Sequence, residues 1–349
     1  MIRLLACFAL ATTLIVAPLH NPISGQTARA DSIEVNVRAV HLNPDKPSIG
    51  RTGQLRFRGG LRLSSRDRRF GGLSGITFIG PDQLLAVSDR GWWISFRIVE
   101  EKGRLVGISD ATLDPLRDVR GNQLRSDRDA EALEIADDGA LVVAFERHHR
   151  LWRYPPPPAH ITAPASELRG LAEWSALPSN GGFEAIAILA GGRRLLVSEQ
   201  GREGETDLVA WLFDYGQYRR LTYATIGQFV PTDLARLASG NLIALERRFT
   251  AVGGFASRLQ IIDQRLIRPG ARVVGREIAR FERPLLIENF EGIAVRNQPD
   301  GAADIFVVSD DNYNPLQRTL LLSFRLEAAD SADRSNVTPP ENSAARPVR

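Results

Sequence analysis

The stretch "DAEALEIADDGALVVAFERHH", Asp129 to His149, sets two apolar runs on either side of Asp138-Gly139, with Glu131 near its start and Glu146 near its end. Short apolar runs around Asp-Gly read as a β-hairpin. Carboxylates are costly to bury, so acids that bracket so apolar a hairpin mark the places where its strands emerge. The pattern recurs. "LSGITFIGPDQLLAVSDR" carries Ser74 and Asp89, and "FEAIAILAGGRRLLVSEQ" carries Glu184 and Glu199. "PTDLARLASGNLIALERR" carries Asp233 and Glu246, and "FEGIAVRNQPDGAADIFVVSDD" carries Glu291 and Asp310.

In the first three copies the two positions stand 15 residues apart; the fourth is two shorter and the fifth four longer. Even changes confined to the turn keep a hairpin's two faces in register. A third apolar strand follows each hairpin: "WWISFRIV", "RLWRY", "LVAWLFDY", "RLQIID" and "TLLLSFRL". Weaker fourth strands are offered by "LAEWSAL" and "LTYATIG". Leading positions recur every 49 to 58 residues, the spacing of four-stranded propeller blades. The chain therefore reads as all-β, a β-propeller with five countable repeats and hence five or six blades. The last repeat ends before its fourth strand, and "GQLRFRGGLRLSS" near the N-terminus is placed to supply it. "IEVNVRAVHLN" is left over and could belong to a sixth blade. A β-sandwich is the rival, but it does not require a self-similar unit with acids at fixed places.

In a propeller the start of each innermost strand and the end of the second share one mouth of the channel. Glu131, Glu184, Asp233 and Glu291 are thereby expected around one mouth, ringed by Asp89, Glu146, Glu199, Glu246 and Asp310. Packed carboxylates repel unless protonated, paired with cations or bound to a metal. One reading pairs each acid with an arginine of a neighbouring blade. The other makes the mouth a site in which these nine acids hold a hard divalent cation such as Ca2+. In the second, Glu131, Glu184, Glu291 and Asp310 are candidate catalytic groups, and Arg90, Arg147, His148, Arg202 and Arg247 would bind the substrate anion. "SDDNYNP" adds Asp311, Asn312 and Asn314 without EF-hand spacing. Ser74 in "GLSGI" lacks the context of a nucleophile elbow and fits better as a blade start. His148 and His149, as strand neighbours, would face opposite ways.

The ends and composition narrow the classes. Arg3 followed by "LLACFALATTLIVA" and "ARA" reads as a signal peptide over residues 1–30, too short for a comfortable membrane span. Export to the periplasm or medium follows. Residues 31–326 form the expected domain, and the polar, proline-bearing residues 327–349 a disordered tail. Cys7 is the chain's one cysteine, so the mature protein has neither disulfides nor thiolate chemistry. Its basic residues are nearly all arginine, with Lys46 and Lys102 the exceptions, and the net charge is +3 over 349 residues. That is too little to argue for nucleic acid. No nucleotide-binding or zinc-protease motif occurs, so no nucleotide or redox cofactor is expected. "PPPP" at residues 155–158 reads as a stiff surface loop.

The motifs "FGGLSGITF", "LLAVSDRG", "DAEALEI", "FEAIAIL" and "NFEGIAVR" with "DIFVVSDDN" resemble the phytase-like family, described as esterase-like activity of phytase, over about Gly53 to Leu326. The resemblance implies a secreted bacterial propeller that hydrolyses phosphoester or carboxyl ester bonds of a small anionic substrate, with calcium at an acidic mouth; a monomer is expected. A non-catalytic propeller that binds a ligand or protein partner in the cell envelope is the alternative, with Trp92 and Trp93 available to an interface.

Overall fold

A computed structural model of the protein describes residues 30–178, 181–201 and 206–328. The expected leader, except Ala30, and the expected tail beyond Ala328 lie outside the described residues. Within them the chain forms five sheets and no α-helix. No helix there is long and apolar enough to cross a membrane.

Each repeat builds one sheet of antiparallel neighbours. Blade one runs outward from Leu73–Phe78 through Gln83–Ser88 and Trp92–Glu101 to Arg104–Pro115. Blade two comprises Ala130–Ile135, Leu141–Phe145, Arg150–Tyr154 and Ser166–Leu168. Blade three comprises Phe183–Ile188, Arg194–Gly201, Leu208–Asp214 and Gln217–Tyr223, with Arg272–Val273 added in parallel at its edge. Blade four comprises Val230–Arg236, Leu242–Thr250, Gly254–Ile262 and Arg276–Phe281. Blade five comprises Phe290–Asn297, Ala303–Ser309 and Thr319–Leu326 and is completed by the N-terminal strand Leu55–Ser64. That strand pairs Leu61 with Leu321, so the two ends of the propeller are joined by a β-ladder.

There is no sixth blade among the described residues. The strand Asn36–Val40 pairs with Leu55–Ser64 as an outer edge of blade five, and Asp31–Ser32 edges blade one. "LAEWSAL" is not a strand: Ala172–Ala176 form a 3-10 turn, and the short Ser166–Leu168 completes blade two instead. "PPPP" is a loop leading into a 3-10 turn at Ala159–Ile161.

The inner strands read as unbroken apolar runs because both faces of every sheet are covered. Five buried clusters lie between successive blades. The cluster that closes the ring joins Phe306, Leu321 and Leu61 of blade five to Leu84, Ile94 and Phe96 of blade one. Phe306 is fully buried there, edge-on to Phe78 at 5.2 Å. Burying one such side chain contributes about 1.5–3 kcal/mol, and Phe306→Ala would cost about 3–5 kcal/mol by leaving a cavity.

Candidate functional site

The five innermost strands share a local irregularity that fixes the site. Each carries a β-bulge near its start, where the ladder to the second strand skips a residue. The skipped residue is Glu131 between Ala130 and Ala132, Glu184 between Phe183 and Ala185, and Glu291 between Phe290 and Gly292. In blade one the irregularity spans Ser74 and Gly75. A bulge frees a side chain from the pleat and re-aims it, which here turns the glutamates toward the mouth. The next position is small because neighbouring inner strands touch there. A Cβ on Gly75 would lie 2.4 Å from Leu133 N, and one on Gly292 2.5 Å from Ser74 O.

Blade four departs from the expectation. Its bulged residue is Thr232, not Asp233, and the residue after the paired Glu246 is Arg247. Asp233 therefore falls one residue past the glutamate position and Glu246 one residue before the acid position, which puts both outside the mouth ring. Asp233 is fully buried and accepts from Leu234 N and, across the blade boundary, from Ile293 N, each at 2.8 Å. Glu246 is also buried, accepting from Tyr223 Oη and Gln260 Nε2 at 2.7 Å and from Arg258. Both slips are by one residue, so the even difference in spacing concealed them. The signal was present in the sequence: "SGI", "EAL", "EAI", "TDL" and "EGI" align on a small residue before Leu or Ile, and only Asp233 is out of character in that column.

The acids that do converge are Asp89, Glu131, Glu146, Glu184, Glu199, Glu291 and Asp310. Oxygens of Glu146, Glu184 and Glu199 lie within 4.8 Å of one another. Burial and the neighbouring carboxylates hold Glu131 and Glu184 well above the ordinary glutamate range. Burial, with Asp89 and Glu291 nearby, pushes Asp310 up to about 8, and burial above all raises Asp89 to about 6. Among the described residues only Arg247 forms an ion pair with any of the seven. Its Nη1 lies 2.6 Å from Glu291 and its Nη2 3.7 Å from Glu199. Arg247 also donates to Asn289 Oδ1, and Asn289 Nδ2 donates to Glu291 at 2.8 Å. Inter-blade arginine pairing thus holds for Glu199 and Glu291, and among the described residues not for Glu131 or Glu184.

The donor set fits a hard divalent cation. Three carboxylates meet on blades two and three, all donors are oxygens, and Asp89 Oδ1 is buried without a hydrogen-bond partner. Glu146 is oriented for such a role by the backbone N–H groups of Gly181 and Gly182. "SDDNYNP" does not extend the set. Asp311 accepts from Gly72 N, Tyr313 N and Thr319 Oγ1, while Asn312 and Asn314 bond within their own loop.

The expected anion-binding residues scatter. Arg147 pairs with Asp129 at 3.2 Å, and His148 Nδ1 lies 2.7 Å from Asp127 Oδ1 on the outer side. Residues 146–149 form a turn rather than a strand, and His149 Nε2 sits 3.0 Å from Pro178 O. The Arg90 guanidinium lies over the Tyr313 ring, 3.4 Å from its centroid. Arg202 lies outside the described residues. Of the expected anion-binding residues that are described, Arg247, with its partner Asn289, is the one that reaches the mouth acids.

The α-L-arabinofuranosidase of Podospora anserina, solved with cellotriose, is 14% identical and superposes with a TM-score of 0.50, over 78% of this chain and 97% of that one. A chain provisionally described as a gluconolactonase is 12% identical with a TM-score of 0.42, over 85% and 95%. The Dos1 propeller is 9% identical with a TM-score of 0.34, over 78% and 74%. No curated protein matches the chain by sequence. The phytase-like family model matches residues 68–313, a span that contains all five bulges and every acid of the mouth. The chain belongs to the phytase-like family, described as esterase-like activity of phytase.

Proposed function

We propose that the protein is an exported hydrolase that cleaves a phosphoester or carboxyl ester of a small anionic substrate at the acidic mouth, with a hard divalent cation such as calcium. The observation that carries this reading is the convergence of seven carboxylates against one paired arginine among the described residues. Without a counter-cation such a cluster works against folding through mutual repulsion. Export is supported by the charged, apolar and small-residue order of residues 1–30.

Glu146, Glu184 and Glu199 would hold the cation, which supplies Lewis acidity toward the ester oxygen and a more acidic water. Arg247, fixed by Glu291, Glu199 and Asn289, meets the substrate anion from the blade-four side. Thr232 leaves the mouth less acidic beside it. Glu131 and Asp310 have no cation partner among the described residues and are the carboxyls placed to hold or deliver a proton at the leaving oxygen.

The test is turnover by the mature protein of p-nitrophenyl phosphate, p-nitrophenyl acetate and phytate, in calcium and in EDTA. Hydrolysis that needs calcium, with a calcium-dependent rise in Tm, is expected. No turnover of any substrate together with no melting shift refutes the reading.

A further inference from the structure

Beside the mouth, between blades five and one, runs a groove of about 550 Å3. Five arginines line it against two aspartates, and both aspartates are already engaged. Asp67 chelates the Arg69 guanidinium at 2.7–3.1 Å, and Asp311 accepts from two backbone N–H groups and a threonine. Arg318 is paired with Glu288. Arg62, Arg66 and Arg68 are exposed and form no ion pair among the described residues. Unbalanced guanidinium groups facing one concavity raise the local concentration of anions there.

The groove is built rather than incidental. The loop that carries Arg66 and Arg68 is pinned by Ser65 Oγ to Glu34 O at 2.6 Å, by Asp67 N to Ser65 Oγ at 3.1 Å and by Phe70 N to Asp67 O at 3.1 Å. Phe70 is buried in the core between blades five and one. On the opposite wall the Arg90 guanidinium lies over the Tyr313 ring, 3.4 Å from its centroid, and makes no ion pair among the described residues. Tyr313 is fixed in turn by its hydroxyl to Arg69 O at 3.2 Å.

Groove and mouth share a wall. Asp89 belongs to the mouth ring, and the adjoining Arg90 lines the groove. The Asp89 carboxylate and the Tyr313 ring both pack against Gly72, where an added Cβ would lie 2.2 Å from Asp89 Oδ1 and 2.5 Å from the ring. With φ at +61°, Gly72 takes a conformation that L side chains rarely adopt.

We propose that this groove is an anion subsite that receives the non-scissile part of the substrate, so that the ester cleaved at the mouth carries further clustered anionic oxygens. The substrate class rests on the hydrolase reading above; the anion binding does not. Guanidinium groups recognise phosphate and carboxylate alike, so the shared chemistry is a polyanion and the two sources are separated by experiment.

The measurement is calorimetric titration of the full mature protein in EDTA with tripolyphosphate and with citrate, at low and at moderate salt. EDTA removes any contribution of a cation at the mouth. Wild type is expected to bind at least one of the two, more weakly as salt rises. The variant R66A/R68A is expected to lose about tenfold or more in affinity with its Tm unchanged, since both side chains are exposed. The anion bound more tightly identifies the source. Binding of neither anion, or full affinity in R66A/R68A, overturns the subsite. A protein that binds tripolyphosphate in this way yet hydrolyses no ester and shows no melting shift with calcium keeps the subsite and refutes the hydrolase reading, so the two failures are distinct.

Discussion

Arg247 stands in blade four where the other four blades carry an acid, and its Nη1 lies 2.6 Å from Oε1 of Glu291 in blade five. This pair breaks the approximate fivefold repeat of the mouth. Burial disfavours the charged arginine, but Glu291, Glu199 and Glu184 outweigh it and raise the Arg247 pKa. Among the described residues the mouth thus carries one cation, on blade four, next to the three carboxylates that meet on blades two and three.

Arg247→Ala should therefore destabilise the protein most when no metal is present. Breaking a largely buried pair leaves an uncompensated carboxylate, at a cost of about 3 kcal/mol. Calcium should recover part of that loss. Thermal melts in EDTA and in calcium check this, and equal losses in both would contradict it.

Glu184→Gln should weaken calcium binding about tenfold or more, because it removes one of three converging charged ligands. The same change should raise Tm in EDTA by relieving repulsion from Glu131, Glu199 and Glu146. Calorimetric titration and melting provide the two readings. A drop in stability in EDTA would mean that Glu184 has a favourable partner.

Asp233→Ala should cost about 2–3 kcal/mol, since it strands two buried backbone N–H groups, one on the adjoining blade. Calcium affinity should move less than twofold, because Asp233 is not among the clustered ligands. Urea unfolding and calcium titration of the same variant separate the two effects. A tenfold loss of calcium affinity would return Asp233 to the mouth.

Stability should fall as pH rises from about 4.5, the ordinary glutamate value, through about 8, with Glu134 adding its share to that of the raised mouth carboxyls Glu131, Glu184 and Asp310. Burial raises its pKa to about 8, with its own backbone N–H and Arg236 acting the other way. A carboxyl whose folded pKa is raised binds its proton more tightly in the native state. The native form is thus favoured below the unfolded pKa and loses that advantage as pH passes the folded one. Glu134 lines a pocket together with Arg236, and screening there reduces the effect to ~1–2 kcal/mol. Glu134→Gln should make this decline shallower by removing the Glu134 share, raising Tm at pH 8 by a few degrees. An unchanged pH profile would refute it.

Much of the architecture was legible because the repeat is written in local chemistry. Acids, small residues and apolar runs recur at blade spacing, and the N-terminal strand was the natural partner of an incomplete last blade. Of the mouth, Glu131, Glu146, Glu184, Glu199, Glu291, Asp89 and Asp310 were found from register alone. Thr232, Arg247 as a ring member and Asn289 were missed or misplaced. A one-residue slip exchanges the faces of a strand, and the slips at Asp233 and Glu246 left the spacing even. Asn289 precedes its blade and belongs to no repeat column.

The sequence by itself determined that the chain is a β-propeller with acids where its inner hairpins emerge, because strand period and turn chemistry are local properties. Only the tertiary structure decided that there are five blades, which acids meet, and that Arg66, Arg68 and Arg90 face one groove. Those facts depend on the bulge that re-aims each side chain and on the closure that brings Leu61 beside Leu321. Both place residues together that lie far apart along the chain.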